Sequence, residues 1–498
     1  MKAYDEPLSM DRWDDDVFHA SRQDVLGRWP TGAEVDLDEA VAYMSALPAH
    51  KVHVDVVRHA IDRGVPAIQV GFGHATIDDV LSHLAIAREA GAELVYVHVD
   101  TYTRKNEYAK ATDAIKESVE RGSSVLNGFP YVSHGVHGSR QLVEGSDIAI
   151  RFGGSNDEEP MLSAEIGFGA GISCTGNFDF HDLVQHSRDY PLDKRIKNAQ
   201  YNDRLAAHYQ ERGAPAHIVQ VGNIHGFVPP GLLMAVELLH TILSAAQGVK
   251  HTTLGPGLMV HVVQDIATLR LYRRLAREYL TRFGFDDVEL FLYYWPWMSD
   301  WPLDDFEAAA LATICASTAI LAGVDYMYVK SIEEAKSASY PRGTAAAIRA
   351  TVQALRALNG QRFPESDELA EESAMLEAEV RAIIDRVIEL GDGDVARGMV
   401  KAVETGNLDT PFPSWEGVKG AVIATRDATG AMRYVRPGGL PLPPEVLRFH
   451  EAKIRERIPS DKLSEELRAL ANDLVAMSSA DIFAEVDPHV ENKTVLGR

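Results

Sequence analysis

The sequence contains very few cysteines and a marked deficit of basic residues. Only Cys174 and Cys315 occur among 498 residues, so no disulfide framework is expected. A location in the reducing cytoplasm is the simplest interpretation of so few cysteines. Lysine and arginine number 49 against 73 aspartates and glutamates, which leaves a net charge of −24. This balance argues against nucleic acids and anionic membrane surfaces as partners, because both are bound by clustered basic side chains.

Long apolar segments are also scarce. The first residues lack the apolar stretch of a signal peptide, and no run approaches the roughly 18 apolar residues that span a bilayer. We therefore expect a soluble intracellular protein. At about 150 residues per domain, the length allows two or three domains, or one barrel with extensions.

Short apolar runs alternate with longer helical patterns through the middle of the chain. The strand-like runs cover 67–70, 94–99, 124–126, 148–151, 171–174, 218–221, 252–254, 288–294 and 326–329. Strands that alternate with helices pair in parallel through crossover helices. The alternation predicts an α/β fold, a (β/α)8 TIM barrel with one surplus run, and a doubly wound open sheet is the alternative.

Two attachments flank this predicted barrel. Residues 1–50 form an N-terminal extension with one helix, and residues 51–360 hold the barrel. Residues 361–498 are helical at first and then rich in proline and glycine. Proline and glycine at that density predict turns and a segment that wraps around the molecule rather than a regular sheet.

Basic side chains follow several of the predicted strands, where a barrel of this type places its active site. Arg104 lies beyond the second run, Arg151 ends a later run, and Lys330 follows the last. Together they would form a cationic pocket suited to a carboxylate, since the planar guanidinium binds both carboxylate oxygens. Alternatively, both arginines form surface ion pairs. Lys330 is open to two readings, a Schiff-base lysine and a side chain that reaches water.

Motifs spread along nearly the whole chain resemble one family, the large (epsilon) subunit of adenosylcobalamin-dependent glutamate mutase, also called methylaspartate mutase. Most of the matching residues are not catalytic, so a shared chemical role does not explain why they occur together. The match is therefore specific to the family. The segments include Trp29-Pro30-Thr31-Gly32, Asp100-x-Tyr102-Thr103-Arg104, Leu126-Asn127-Gly128-Phe129-Pro130, Gln264-Asp265-Ile266-Ala267 and Glu404-Thr405-Gly406.

The resemblance implies an isomerase that works with a partner. A separate small (sigma) subunit would bind the cobalamin and supply the histidine that ligates cobalt, and this chain would form a homodimer within a heterotetramer. Homolysis of the cobalt–carbon bond would start a radical rearrangement that interconverts L-glutamate and threo-3-methylaspartate. A closed barrel suits this chemistry because it keeps water away from reactive species.

The resemblance also implies roles for individual residues. Arg104 and Arg151 match two of three arginines that clamp substrate carboxylates. Apart from the resemblance, Phe152 beside Arg151 would suit a less polar group on a substrate that differs from glutamate. Trp301 stands where the family has phenylalanine at a cofactor-contacting position. The other cofactor-contacting positions correspond to Gly73, Asn127, Lys330, Glu334 and Ala338.

The sequence departs from the family pattern at four substrate positions. The third clamping arginine falls on Gly71, and the glutamate that receives the substrate ammonium falls on Gly176. Two substrate-contacting tyrosines fall on Asp182 and His186. Buried polar groups left unpaired discriminate strongly between substrates, so the changes favour a carboxylate substrate other than glutamate. One alternative is that His74, Arg188 or a loop residue replaces the missing contacts. The other is that the barrel has lost its catalytic activity and only binds a cobalamin protein.

Overall fold

Eight parallel strands form a ring at the centre of the molecule. The computed structural model describes residues 6–153, 159–177, 180–220, 227–336, 341–459 and 462–478. The strands of the ring are β1 (Ala67–Phe72), β2 (Leu94–Val97), β3 (Ala149–Phe152), β4 (Cys174–Asn177), β5 (His217–Gln220), β6 (His251–Leu254), β7 (Glu289–Leu292) and β8 (Tyr326–Val329).

Backbone hydrogen bonds close this ring. Neighbouring strands pair in parallel in the order β7-β6-β5-β4-β3-β2-β1-β8. The Asp325 N–H donates to the Leu292 carbonyl at 2.8 Å, and the Tyr328 N–H donates to the Tyr294 carbonyl at 3.2 Å, which joins the last strand to the seventh. The prediction of a (β/α)8 TIM barrel is therefore confirmed, and the open doubly wound sheet is wrong.

Helices surround the ring and extend the chain at both ends. Before the barrel lie α1 (Asp15–Leu26), α2 (Leu37–Ser45) and α3 (His53–Arg63). The helices between and after the strands are α4 (Ile77–Ala90), α5 (Thr101–Arg104), α6 (Tyr108–Arg121), α7 (Tyr131–Gly145), α8 (Met161–Gly169), α9 (Phe180–His186), α10 (Leu192–Glu211), α11 (Pro230–Ala246), α12 (Val262–Arg282), α13 (Asp305–Ala322) and α14 (Pro341–Leu358). The C-terminal region holds α15 (Asp367–Leu390), α16 (Val395–Thr405), the antiparallel pair β9 (Ile423–Arg426) and β10 (Met432–Arg436), α17 (Pro444–Arg457) and α18 (Leu463–Asp473).

Local sequence explains where the barrel helices begin and end. The Thr76 hydroxyl accepts the Asp79 N–H at the start of α4, and Gly91 ends that helix with a φ of 117°. Asp304 caps α13 in the same way through the N–H groups of Phe306 and Glu307. These are the side chains and the backbone conformation that favour helix termini, so local sequence alone marks both ends of these helices.

One buried charge pair joins the N-terminal extension to a barrel helix, and another holds the C-terminal region together. Arg22 of α1 donates to Glu165 of α8 at 2.9 Å, and both side chains are buried. In the C-terminal region, Arg433 of β10 forms two 2.7 Å bonds with Glu372 of α15. One hydrophobic cluster runs from Phe18 through the barrel to the last helix, so the extensions share its core.

Three expectations about secondary structure are corrected. The surplus strand is 124–126, which lies in a loop whose nearest pairing is a single bridge between Val99 and Phe129. The strand expected at 171–174 begins only at Cys174, because Gly171 has a φ of 87° and the chain is still turning away from α8. The proline- and glycine-rich segment contains the small sheet β9–β10, which we did not expect.

Helix α13 is, by length and composition alone, long and apolar enough to cross a membrane. It packs between α12 and α14 as one of the helices around the barrel, and 44% of its 18 residues are buried there. A core helix of a soluble protein passes the same test, so this helix is explained by its place in the barrel.

Candidate active site

Side chains alternate between the two faces of each strand, and the inward ones fill the lumen of the barrel. Tyr96, Tyr293 and Tyr328 belong to the cluster inside the ring, whereas Val70, Phe72 and Phe152 belong to the outer cluster under the helices. Phe152 packs against Phe168 and Tyr131 at ring-centroid distances of 5.8 Å. The expectation that Phe152 contacts substrate is therefore corrected, because a period of two turns it away from the lumen.

Arg151 is the central charged group of the lumen. Its side chain is fully buried, and none of its three guanidinium nitrogens has a hydrogen-bond partner among the described residues. The guanidinium carbon lies 4.6 Å from the Tyr96 ring centre and 5.8 Å from the Trp295 ring centre. A buried guanidinium is costly without a partner, so this position is prepared for an anion that bonds to it.

Aromatic side chains form the wall around this guanidinium. The Tyr293 ring contacts Trp295 edge to face at 5.3 Å and stacks on Tyr326 at 4.5 Å. Trp295 in turn lies 4.6 Å from Tyr328. We did not anticipate this wall from the sequence, although aromatic residues two positions apart in a strand, as in Tyr293-x-Trp295, were the available signal.

Arg104 lies on α5, a single helical turn after β2, where a hydrogen-bonded cap holds it. The Asp100 carboxylate accepts the N–H groups of Tyr102 and Thr103 at 2.9 and 3.1 Å. The Asn127 amide oxygen accepts both the N–H and the hydroxyl of Thr101, at 3.2 and 3.0 Å. The Nε atom of Arg104 is buried without a partner in the described structure.

The charges of Arg104 and Arg151 both act on His98. Burial, with the field of these two arginines, lowers the pKa of His98 to about 3, so its imidazole is neutral. Both predicted arginines therefore belong to the same end of the barrel. The surface ion-pair alternative is wrong for Arg151, which is fully buried in the lumen.

Lys330 stands at the mouth of the barrel, directly after β8. It is 6% exposed, and its Nζ lies 4.7 Å from the ring centre of Trp301. Burial lowers its pKa, and Glu334 opposes that shift. The Trp301 indole N–H is buried with no partner among the described residues. The three predicted mouth residues, Lys330, Trp301 and Glu334, thus offer polar groups to a large ligand above the lumen.

Glycines let two loops approach each other closely at the mouth, beside the end of β1. A β-carbon on Gly73 would lie 2.6 Å from the Gly128 α-carbon, and one on Gly128 would lie 2.5 Å from the Asp100 nitrogen. Only glycine fits at such close approach. The loops after β1 and β2 therefore pack backbone to backbone beside Asn127, next to the strand that leads to Lys330.

Three neutral side chains form the floor of the lumen. His53, Cys174 and His217 are fully buried, and their potential ligand atoms lie within 4.8 Å of one another. Such a group can hold a metal ion. The positive field of Arg151 reaches all three, and burial raises the pKa of the Cys174 thiol to about 12, so this floor disfavours a cation.

The remaining predicted positions are less informative. Gly176 lies in β4, opposite Val219 of β5. His186 ends α9 and is exposed. Ala338 and the side chain of Asp182 lie outside the described residues. Of the suggested replacements, His74 bonds to His83 at 3.0 Å, and the exposed Arg188 pairs with Glu416 at 3.0 Å.

Fold and site together define a class of protein, a (β/α)8 barrel whose lumen presents a buried guanidinium to an anionic ligand. The family model for the methylaspartate mutase E chain matches residues 47–485, and the chain belongs to this family.

Relatives cover nearly the whole chain. The glutamate mutase epsilon subunit of Desulfitobacterium hafniense is 34% identical over 92% of this chain and 95% of its own. That of Treponema denticola is 32% identical over 93% and 96%, and that of Halobacterium salinarum 34% over 95% and 98%. The comparison with solved structures gives a glucosidase from Croceicoccus marinus, which covers 54% of this chain and 62% of its own with 15% identity and a TM-score of 0.34.

Proposed function

We propose that this chain is the catalytic subunit of an adenosylcobalamin-dependent carbon-skeleton mutase that acts on a small carboxylate. Membership of the methylaspartate mutase family supports the reaction class. The main structural support is the buried guanidinium of Arg151, whose three nitrogens lack hydrogen-bond partners in the described structure. A guanidinium binds both oxygens of a carboxylate, and a closed lumen keeps water away from reactive species.

The residues of this chain bind, orient and shield the substrate. Arg151 holds a carboxylate through its planar fork, and the aromatic wall around it keeps water out of the lumen. Arg104, fixed by its capped turn, completes the cationic end. These contacts keep the substrate in one orientation while the carbon skeleton changes.

The mouth residues support the cofactor assignment. Lys330, Trp301 and Glu334 would hold the cobalamin together with Asn127 and the neighbouring backbone at Gly73. Adenosylcobalamin, when bound, supplies the radical that starts the rearrangement. The cobalt-ligating histidine would come from a small cobalamin-binding subunit, with two copies of each chain in the assembly and the cytoplasm as its location.

The substrate that we propose differs from L-glutamate. Gly71 and Gly176 leave the lumen without the third arginine and the glutamate of the family pattern, which favours a carboxylate other than L-glutamate. The purified chain, reconstituted with its small subunit and adenosylcobalamin, is incubated with L-glutamate. Rapid formation of 3-methylaspartate would contradict the proposal of an altered substrate and would agree with the proposal of a mutase.

A barrel that only binds a cobalamin protein is the second candidate, favoured by the same two glycines. Electron paramagnetic resonance of the complex separates the two. A cobalt(II)–radical signal that appears with a carboxylate substrate supports the mutase. Its absence with L-glutamate and with every carboxylate that binds the lumen supports the binding role.

A further inference from the structure

Gly71, Tyr96 and Arg151 lie side by side across three neighbouring strands. Gly71 of β1 pairs with Tyr96 of β2, and Tyr96 pairs with Arg151 of β3. Strands in a sheet are about 4.8 Å apart, so the α-carbons of Gly71 and Arg151 are separated by about 10 Å. A short ligand bonded to Arg151 therefore reaches the space above Gly71.

The atoms that such a ligand would meet there are two polar side-chain atoms. A β-carbon on Gly71 would overlap the Tyr328 hydroxyl and would lie 2.5 Å from Nε2 of His98. Any side chain at position 71 would have to displace both groups. Tyr328 of β8 and His98 after β2 thus converge from opposite sides of β1 on one point in the lumen.

Both groups are uncharged near neutral pH. Burial and the two nearby arginines keep the His98 imidazole neutral, and burial raises the pKa of the Tyr328 hydroxyl well above its usual range. A neutral imidazole has one donor and one acceptor nitrogen, and a tyrosine hydroxyl both donates and accepts. The pair can therefore satisfy a ligand group that has both kinds of hydrogen-bonding atom.

We propose that His98 and Tyr328, meeting over Gly71, form a neutral hydrogen-bonding subsite, and that the substrate is a carboxylic acid whose second polar group is uncharged, of the carboxamide class. This inference rests on the proposed function and names its substrate class. A carboxamide donates through its N–H and accepts through its oxygen, which matches the pair. In our proposal Arg104 and Arg151 both serve the first carboxylate. A second carboxylate only accepts, so it would leave the acceptor atoms of the pair unsatisfied, and Gly71 supplies no guanidinium to offset this.

The test compares ligands that differ only at this end. Isothermal titration of the full-length chain measures the dissociation constants of succinate, glutarate and adipate and of their three monoamides. We expect at least one monoamide to bind at least tenfold more tightly than the dicarboxylate of the same length. The Arg151→Met variant should bind none of the six.

Variants of His98 provide the matched control. His98→Lys places a cation at the subsite and should reverse the preference toward the dicarboxylate, whereas the neutral His98→Gln should retain it. The proposal is overturned if the dicarboxylate binds at least as tightly in every pair, or if no monoamide binds. Because these measurements need no cobalamin, they are independent of the resonance experiment that tests the mutase.

Discussion

The guanidinium of Arg151 lies 4.6 Å from the ring centre of Tyr96, on neighbouring strands and at the same level of the barrel. The ring face provides a partial negative charge that stabilises the guanidinium without bonding to its N–H groups. The donors of Arg151 thus stay available, and the cost of burying the charge is met only when an anion arrives.

Replacement of Arg151 by methionine should stabilise the protein and abolish ligand binding. Removal of a buried charge without a partner should raise the free energy of unfolding by about 1–4 kcal/mol. Arg433→Met is the matched control, since Arg433 is equally buried but bonded to Glu372 and Asp427. That variant should lose about 3–5 kcal/mol in the same urea titration. Destabilisation of both variants would contradict our account of Arg151.

Gly71→Ala should destabilise the protein through a specific clash. The new methyl group overlaps the Tyr328 hydroxyl, and such overpacking costs about 1–3 kcal/mol. Removing the hydroxyl in Gly71→Ala/Tyr328→Phe should restore part of that loss, whereas Tyr328→Phe alone should change stability little. A double-mutant cycle from urea unfolding measures the coupling, and strictly additive effects would show that the two residues do not touch.

Asn127→Ala should weaken carboxylate binding although Asn127 does not contact the substrate in our proposal. It removes the acceptor that holds Thr101 at the start of α5, and Arg104 ends that turn. We expect a loss of about tenfold in affinity by isothermal titration, in the range for a hydrogen bond to a charged group. Asn407→Ala, which removes a bond to the Gly439 carbonyl in the C-terminal region, should leave the affinity unchanged.

Asp203 should make the stability of the protein depend on pH. Burial raises its pKa to about 8, although Ser244 and Asn177 donate hydrogen bonds to it. The pKa of Asp203 in the folded protein exceeds its value of about 3.9 in the unfolded chain. Its contribution to the free energy of unfolding is therefore complete below pH 4 and is lost as the pH rises to 8.

Asp203→Asn should remove this dependence. The difference in unfolding free energy between variant and wild type should change by about 1.4 kcal/mol per pH unit between pH 5 and 8, in favour of the variant at high pH. Urea titrations at four pH values measure it. A constant difference across that range would mean that Asp203 is ionised throughout.

The alternation of strands and helices was readable because a barrel repeats one local pattern. Glycines and capping residues such as Thr76 and Gly91 mark helix ends through local hydrogen bonds and backbone conformation, so no distant contact is needed to read them. The strand expected at 124–126 was wrong because β-propensity reports burial of a pleated surface, which depends on neighbours elsewhere in the chain.

The sequence by itself determined the barrel, the family motifs and the presence of Arg104, Arg151 and Lys330 at strand ends, since all three follow from local periodicity and residue type. Only the tertiary structure decided which side chains meet. Phe152 adjoins Arg151 in sequence yet faces the helices, whereas Tyr328 is far from Gly71 in sequence yet covers it. The physical reason is closure of the ring, which brings β8 beside β1 and sets the inward face of every strand.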